Sequence, residues 1–244
     1  MYKKGEQVAT KKGESERVPT GIPNFDKLIE GGFQKESINL IAGGAGSGKT
    51  IFAIQFLING IEKYNEPGMY ITFEERKNKL YKDMLEFGWD LAKYEKEGMF
   101  VFLNYKPAQV KKVLVEGGGV IDTIIRESKI KRLVIDSISS FTLLYTEELA
   151  KKQAALQLFE LISKWGLTAV LTSQDEAPNE GTIIAALEFE VDGIILLYHV
   201  KKKATRVRAL EILKMRGTRH SESTMMAEIS QDGIKVIPDE LVIF

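Results

Sequence analysis

The sequence predicts an α/β domain with a mostly parallel central sheet flanked by helices and an antiparallel extension on its C-terminal side. Three observations carry that expectation. Apolar runs of strand length alternate with helical stretches from Ser37 onward, the segment GGAGSGKT (Gly43 to Thr50) joins one such strand to one such helix, and the last runs are linked by short turns. With 244 residues, 44% of them hydrophobic, the chain is long enough for one large α/β domain and short for two.

Residues 1–16 are polar, rich in Lys, Glu and Gly and without periodicity, and read as a mobile tail ahead of a domain over 17–244. In TGIPNFDKLIEGGF, Pro23 can open a short helix with Phe25, Leu28 and Ile29 on one face, and Gly31-Gly32 end it. Ser37 to Ala42 is a strand, and Ile51 to Tyr64 is a helix apolar almost all round, hence buried. Gly68 to Phe73 is a second strand, Arg76 to Phe87 a helix rich in Lys and Glu, and Met99 to Asn104 a third strand. Val110 to Lys129 is helical in parts, interrupted by a loop at Gly117-Gly118-Gly119. Arg132 to Asp136 has the unbroken apolar run of a strand buried on both faces. Thr146 is expected to cap a long helix to Trp165, with Leu149, Leu156, Phe159 and Ile162 inward and Gly166 as its stop. Thr168 to Ser173 is the next strand, followed by Gln174 and an acidic loop, DEAPNEGT. Ile194 to His199 and Arg206 to Met215 form a hairpin about Lys201-Lys202-Lys203, and Met225 to Ile229 and Ile234 to Ile237 extend the sheet.

Composition narrows the chemistry. Acidic and basic residues number 34 each, so no overall field draws in a polyanion or a membrane surface, and nucleic acid would need a local patch. Without cysteine there is no disulfide, thiolate metal site or thiol nucleophile, and a count of only two histidines argues against a zinc site. The N-terminus lacks a signal-peptide core and no apolar run reaches membrane length, which sets the expectation of a cytoplasmic protein without membrane contact.

GGAGSGKT fits the phosphate-binding pattern at every fixed position, in the strand–loop–helix context that the pattern requires. Backbone N–H groups of Gly43, Gly44, Ala45, Gly46, Ser47 and Gly48 can curl around phosphate oxygens, with Ile51 opening the helix behind them. Lys49 reaches the β- and γ-phosphates, and the Thr50 hydroxyl ligates Mg²⁺. This implies a nucleoside triphosphate, ATP, with Mg²⁺ as cofactor. Asp136, closing a buried strand, is expected in the Mg²⁺ shell. Gln174 is placed to sense the γ-phosphate. Glu74 and Glu75 follow the second strand, where the carboxyl ends of an open sheet face the ligand crevice; a carboxylate there can deprotonate the attacking water. Glu is equally favoured in the first turn of a helix, and spacing alone leaves both readings open.

Taken together, RVPTGIPNFDKLIEGGF, GGAGSGKT, FEE at Phe73 to Glu75, VIDSISS at Val134 to Ser140 and LKMRGTRHS at Leu213 to Ser221 resemble the KaiC-like branch of the RecA-superfamily P-loop NTPases, over Arg17 to about Ile237. FEE and K-x-R-G-T-x-H are the specific pieces. The resemblance implies a RecA-like fold, a homo-oligomeric ring, often a hexamer, and nucleotide held between subunits. In such a ring the neighbour contributes residues matching Lys214, Arg216, Thr218 and His220. It also implies that Glu74, then Glu75, are the catalytic carboxylates, alongside Lys49, Lys214 and Arg216. The clock protein that names the family carries two such domains and autophosphorylates. Here there is one domain, and Ser221, Ser223 and Thr224 match those phosphorylation sites too loosely to carry the role over.

The leading expectation is a ring-forming regulatory ATPase acting on a protein partner that no motif identifies. A RecA-like single-stranded DNA-binding ATPase is the alternative, with Lys201 to Lys203, Arg206 and Arg208 as its basic cluster and Asp175, Glu176 and Glu180 arguing against it. A small-molecule phosphotransferase would predict an Arg-rich lid and give Glu74-Glu75 no role.

Overall fold

The computed structural model describes residues 16–106, 109, 113, 117–142, 145–174 and 190–243. Apart from Glu16, the expected tail lies outside them, as do the acidic loop after Gln174 and much of the stretch expected to be helical before Gly117.

The chain opens with β1 (Arg17–Val18), a 3₁₀ turn at Asp26–Ile29 and β2 (Phe33–Gln34), with β1 and β2 paired antiparallel. The Asp26 carboxylate shapes this entry by accepting from Thr20 N, Thr20 Oγ1 and Gly21 N at 2.6–2.9 Å. Glu30 adopts the left-handed region at φ 55° and ends the turn. Next come β3 (Ile38–Ala42), α1 (Lys49–Tyr64), β4 (Gly68–Thr72), α2 (Lys77–Leu85), α3 (Leu91–Lys96) and β5 (Phe100–Asn104). Then follow α4 (Gly119–Glu127), β6 (Arg132–Asp136), α5 (Ile138–Thr142), α6 (Glu148–Trp165) and β7 (Thr168–Ser173). The chain ends in β8 (Gly193–Lys202), β9 (Thr205–Met215), β10 (Met225–Ser230) and β11 (Gly233–Leu241).

Among the described residues one large sheet runs β11-β10-β9-β8-β3-β7-β6-β4-β5. From β8 to β5 every pairing is parallel, and from β8 to β11 every pairing is antiparallel. Strands β3, β4 and β7 are buried along their whole length, as their apolar runs require of a parallel sheet covered on both faces. One face packs Phe52, Phe56, Tyr70 and Val134 with α1; the other packs Leu40, Met69, Leu133 and Ile135 with α4 and α6.

Arg132 is fully buried on β6, with Nε donating to Glu66 at 2.7 Å, Nη1 donating to Phe56 O at 2.9 Å, and its guanidinium 4.7 Å from the Phe56 ring centroid. Gly60 of α1 makes room for it, since a Cβ there would fall 2.4 Å from Arg132 Nε. Gly60→Ala should therefore destabilise the fold by about 1–3 kcal/mol through overpacking against a pinned side chain. A thermal unfolding midpoint equal to that of the parent would show that Arg132 gives way freely.

Several expectations need correction. Helix α6 begins at Glu148 after Glu147, so Thr146 lies one residue outside its cap. Leu149 is 69% exposed, because the inward face is set by Ala155, Leu158, Phe159 and Ile162, and Leu149 falls on the opposite side of the helical wheel. The hairpin turn is Lys203-Ala204, with Lys201 and Lys202 still in β8 and Lys203 at φ 56°. A register shift between Ile194 and Ile195 breaks the alternation of β9, leaving Leu213 partly exposed and Met215 buried. The short α3, α5, β1 and β2 were not anticipated from periodicity.

Candidate functional site

The topology brings the carboxyl ends of β3, β4, β6 and β7 together, because Ala42 pairs with Ser173 and Thr72 with Asp136 across the parallel ladders. At this end Gly44, Ala45, Lys49, Thr50, Glu74, Glu75, Asp136, Ser137 and Gln174 line one cleft of about 310 Å³. Lys49, Thr50, Glu74, Glu75, Asp136 and Gln174, each singled out from the sequence, thus line one cleft together with Ser137.

The loop Gly43–Thr50 is packed closely against β8 and β10. A Cβ on Gly43 would lie 2.1 Å from Leu197 O, and Gly48, at φ 105°, faces Ile229 at 2.9 Å, so neither position accepts a side chain. The buried Ser47 hydroxyl has no partner among the described residues. Lys49 Nζ donates to Gly43 O at 2.7 Å and Gly44 O at 2.9 Å, which keeps the ammonium over the loop. An unpaired hydroxyl, a poised ammonium and a helix N-terminus are together fitted to phosphate oxygens.

Thr50 Oγ1 donates to Asp136 Oδ2 at 2.8 Å. Tyr70 OH donates to the same oxygen at 2.7 Å, and Thr172 Oγ1 donates to Oδ1 at 2.5 Å. A hydroxyl and a carboxylate side by side are hard oxygen donors that fit a small divalent cation such as Mg²⁺. Among the described residues no group of three or more His, Cys, Asp or Glu side chains gathers, so such an ion would take its other ligands from nucleotide and water. Burial first, and then the Asp136 charge, push the Tyr70 phenol well above its ordinary range, so it remains a donor.

Glu74 and Glu75 leave β4 through a turn in which both backbone N–H groups donate to Thr72 Oγ1, at 3.3 and 3.1 Å. The Glu74 carboxylate accepts from the Ser140 hydroxyl, while Glu75 lies 3.9 Å from the exposed Lys79. Asn104 Nδ2 holds Glu75 O at 2.7 Å. Gln174 is fixed by its backbone N–H donating to Ser139 Oγ at 2.9 Å.

Lys214, Arg216, Thr218 and His220 are not brought to this cleft. Met215 pairs with Gly193, and Gly193 with Asn39, which places them level with the start of β3, whereas the phosphate loop follows its end. Lys214 Nζ donates to Val191 O at 2.8 Å, and Arg216, about half exposed, lies 3.7 Å from Asp192. Thr218 Oγ1 accepts from Arg17 at 2.6 Å, and His220 Nδ1 lies 3.0 Å from Ser221 O.

The structure brings to the loop residues that the sequence did not assign to it, among them Arg206 and Arg208 of the basic cluster. Arg208 Nε donates to Gly46 O at 3.1 Å, and His199 Nδ1 would lie 3.2 Å from a Cβ on Gly46. Arg206 donates to His199 O at 2.9 Å. Partial burial, then the charges of Arg208 and Arg206, lower the His199 pKa and favour the neutral ring. Strand register was the available signal: Leu196 pairs with Ala42, so three residues further along β8 overlie the loop.

The family model for the KaiC ATPase matches residues 18–241. A UPF0273 protein of Pyrococcus furiosus is 35% identical over 93% of this chain and 96% of its own length. One from Thermotoga maritima is 36% identical over 92% and 97%. The circadian clock protein KaiC3 of Synechocystis is 35% identical over 91% of this chain but 46% of itself. The crystal structure of a KaiC-like protein from Pyrococcus horikoshii superimposes with a TM-score of 0.82 at 39% identity, covering 92% of this chain and all of that one. Among the described residues no helix is long and apolar enough to cross a membrane.

Proposed function

Since the chain belongs to the KaiC ATPase family, we propose that it binds ATP with Mg²⁺ on Gly43–Thr50 and hydrolyses it in a ring, hexameric on the family pattern, to drive a regulatory or partner-binding cycle. The observation that carries the intersubunit part is the division of the site. Loop, metal-facing pair and glutamates share one cleft, while Lys214, Arg216, Thr218 and His220 lie level with the start of β3, away from it, so any part they take in nucleotide chemistry would be in the site of a neighbouring copy.

Within this reading Lys49 exchanges its loop carbonyls for the β- and γ-phosphates, and Thr50 and Asp136 face the metal. Thr50 and Asp136 would hold the Mg²⁺, which would supply neutralisation of the negative charge that develops during transfer. Glu74 takes the proton from the attacking water, with Glu75 as the second candidate, and Gln174 senses the γ-phosphate. Arg208 approaches the phosphates from β9.

Two measurements test the proposal. Mass in solution should rise to a closed multimer with ATP and Mg²⁺; a monomer at all concentrations would remove the intersubunit site. Lys49→Ala should weaken ATP binding about 30-fold or more, the effect of deleting a cation that faces a desolvated charge. Equal affinity in the variant would refute the site. The single-strand DNA reading loses support, because Arg206 and Arg208 hydrogen-bond to His199 O and Gly46 O and so are turned toward the phosphate loop.

A further inference from the structure

Tyr70 is fully buried, and its hydroxyl meets the Asp136 carboxylate, which lines the cleft. It sits two residues before Thr72 on β4, and Thr72 is the lateral partner of Asp136 on β6. Alternation puts Tyr70, Thr72 and Asp136 on one face, so the phenol spans about 7 Å, two residues of strand rise. A Ser or Thr at this position would fall short. The ring direction is fixed by packing: Phe102 stacks on it at 5.9 Å and 17°, and Tyr81 meets Phe102 edge-on at 5.8 Å. A buried tyrosine often satisfies its hydroxyl on a carbonyl, but here the partner is a carboxylate, a charge-assisted bond roughly twice as strong as a neutral one. Tyr70 and Thr50 share Oδ2 and Thr172 takes Oδ1, so three of the roughly four acceptor positions of the carboxylate are held by protein donors.

We propose that Tyr70 is a positioning residue of the nucleotide site: its hydroxyl locks the Asp136 carboxylate against Thr50 in the orientation from which the pair meets a divalent cation. The inference rests on the reading of Thr50 and Asp136 as the metal-facing pair. Removing the hydroxyl leaves the carboxylate to Thr50 on Oδ2 and Thr172 on Oδ1, two short side chains in place of three donors, so its orientation is held less tightly when the ion binds.

The test is a double-mutant cycle on metal affinity rather than on turnover. Mn²⁺ is titrated into parent, Tyr70→Phe, Asp136→Asn and the double variant, each with ADP, and the free Mn²⁺ signal is read by electron paramagnetic resonance against ADP alone. Tyr70→Phe keeps the stacked ring; its unfolding midpoint, measured alongside, checks the fold. We expect Mn²⁺ affinity to fall about three- to tenfold in Tyr70→Phe and not to fall further when Tyr70→Phe is added to Asp136→Asn. An unchanged or tighter affinity in Tyr70→Phe overturns the inference, as does an effect that adds in full to that of Asp136→Asn. If Asp136→Asn alone leaves Mn²⁺ affinity intact, the underlying assignment of Asp136 fails and takes this one with it. A loss in Asp136→Asn but none in Tyr70→Phe sinks only the role of Tyr70.

Discussion

Gln at both Glu74 and Glu75 should leave ATP bound and lower its turnover by about 10²- to 10⁴-fold, the contribution of a positioned general base. The amide matches the carboxylate in shape, so the cleft and Lys49 are undisturbed, yet it cannot accept a proton. The two positions are not equivalent. Glu74 is held by the Ser140 hydroxyl inside the cleft, whereas Glu75 faces the exposed Lys79. Glu74→Gln alone should therefore carry most of the loss. Steady-state phosphate release together with a nucleotide-binding titration decides it, and turnover equal to the parent would remove both residues from the reaction.

Arg216→Ala should lower turnover about 10³-fold, the scale of an arginine supplied to a transferring phosphoryl group from outside its loop. Its ion pair with Asp192 is long and solvent-exposed, so the unfolding midpoint should hardly move. Rate and stability are thereby separated. Arg216→Ala and Glu74→Gln/Glu75→Gln are each expected to be inactive. Co-expressed, they would form mixed rings in which some interfaces pair an intact glutamate site with an intact neighbouring Arg216, and part of the activity should return. Mixed assemblies that form but stay inactive would show that Arg216 does not act across the interface.

Much of this was legible in the sequence, for physical reasons. Strands β3, β6 and β7 are buried on both faces and read as continuous apolar runs, and the residues that end or follow them, from Gly43 to Asp136 and Gln174, inherit their place from the topology rule for parallel sheets. Glu74 and Glu75 were ambiguous because a helix start and a catalytic site favour the same residue; their place in the cleft depends on β4 lying beside β6, a pairing without local signal. Leu149 misled because helical spacing gives a stripe but not its direction, which only the packing of α6 on the sheet decides. Arg208 and His199 escaped because the parallel pairing of β8 with β3, which lays the β8–β9 hairpin over the loop, is nonlocal. Tyr70 looked like one more apolar strand residue; its hydroxyl mattered only once Asp136 was known to be within reach.

Strand β9 has one end on its own phosphate loop, through Arg208, and carries Lys214 just before its other end. The two residues are six apart, about 20 Å along an extended chain. Hydrogen-bonded to β8 along its length and to β10 over Arg208, Ala209 and Leu210, such a strand behaves as a stiff crank rather than a tether. In the proposed ring each crank would touch two nucleotides at once, so displacement at one would be felt at the next, and ATP turnover would rise sigmoidally with ATP concentration, with a Hill coefficient above that of independent sites.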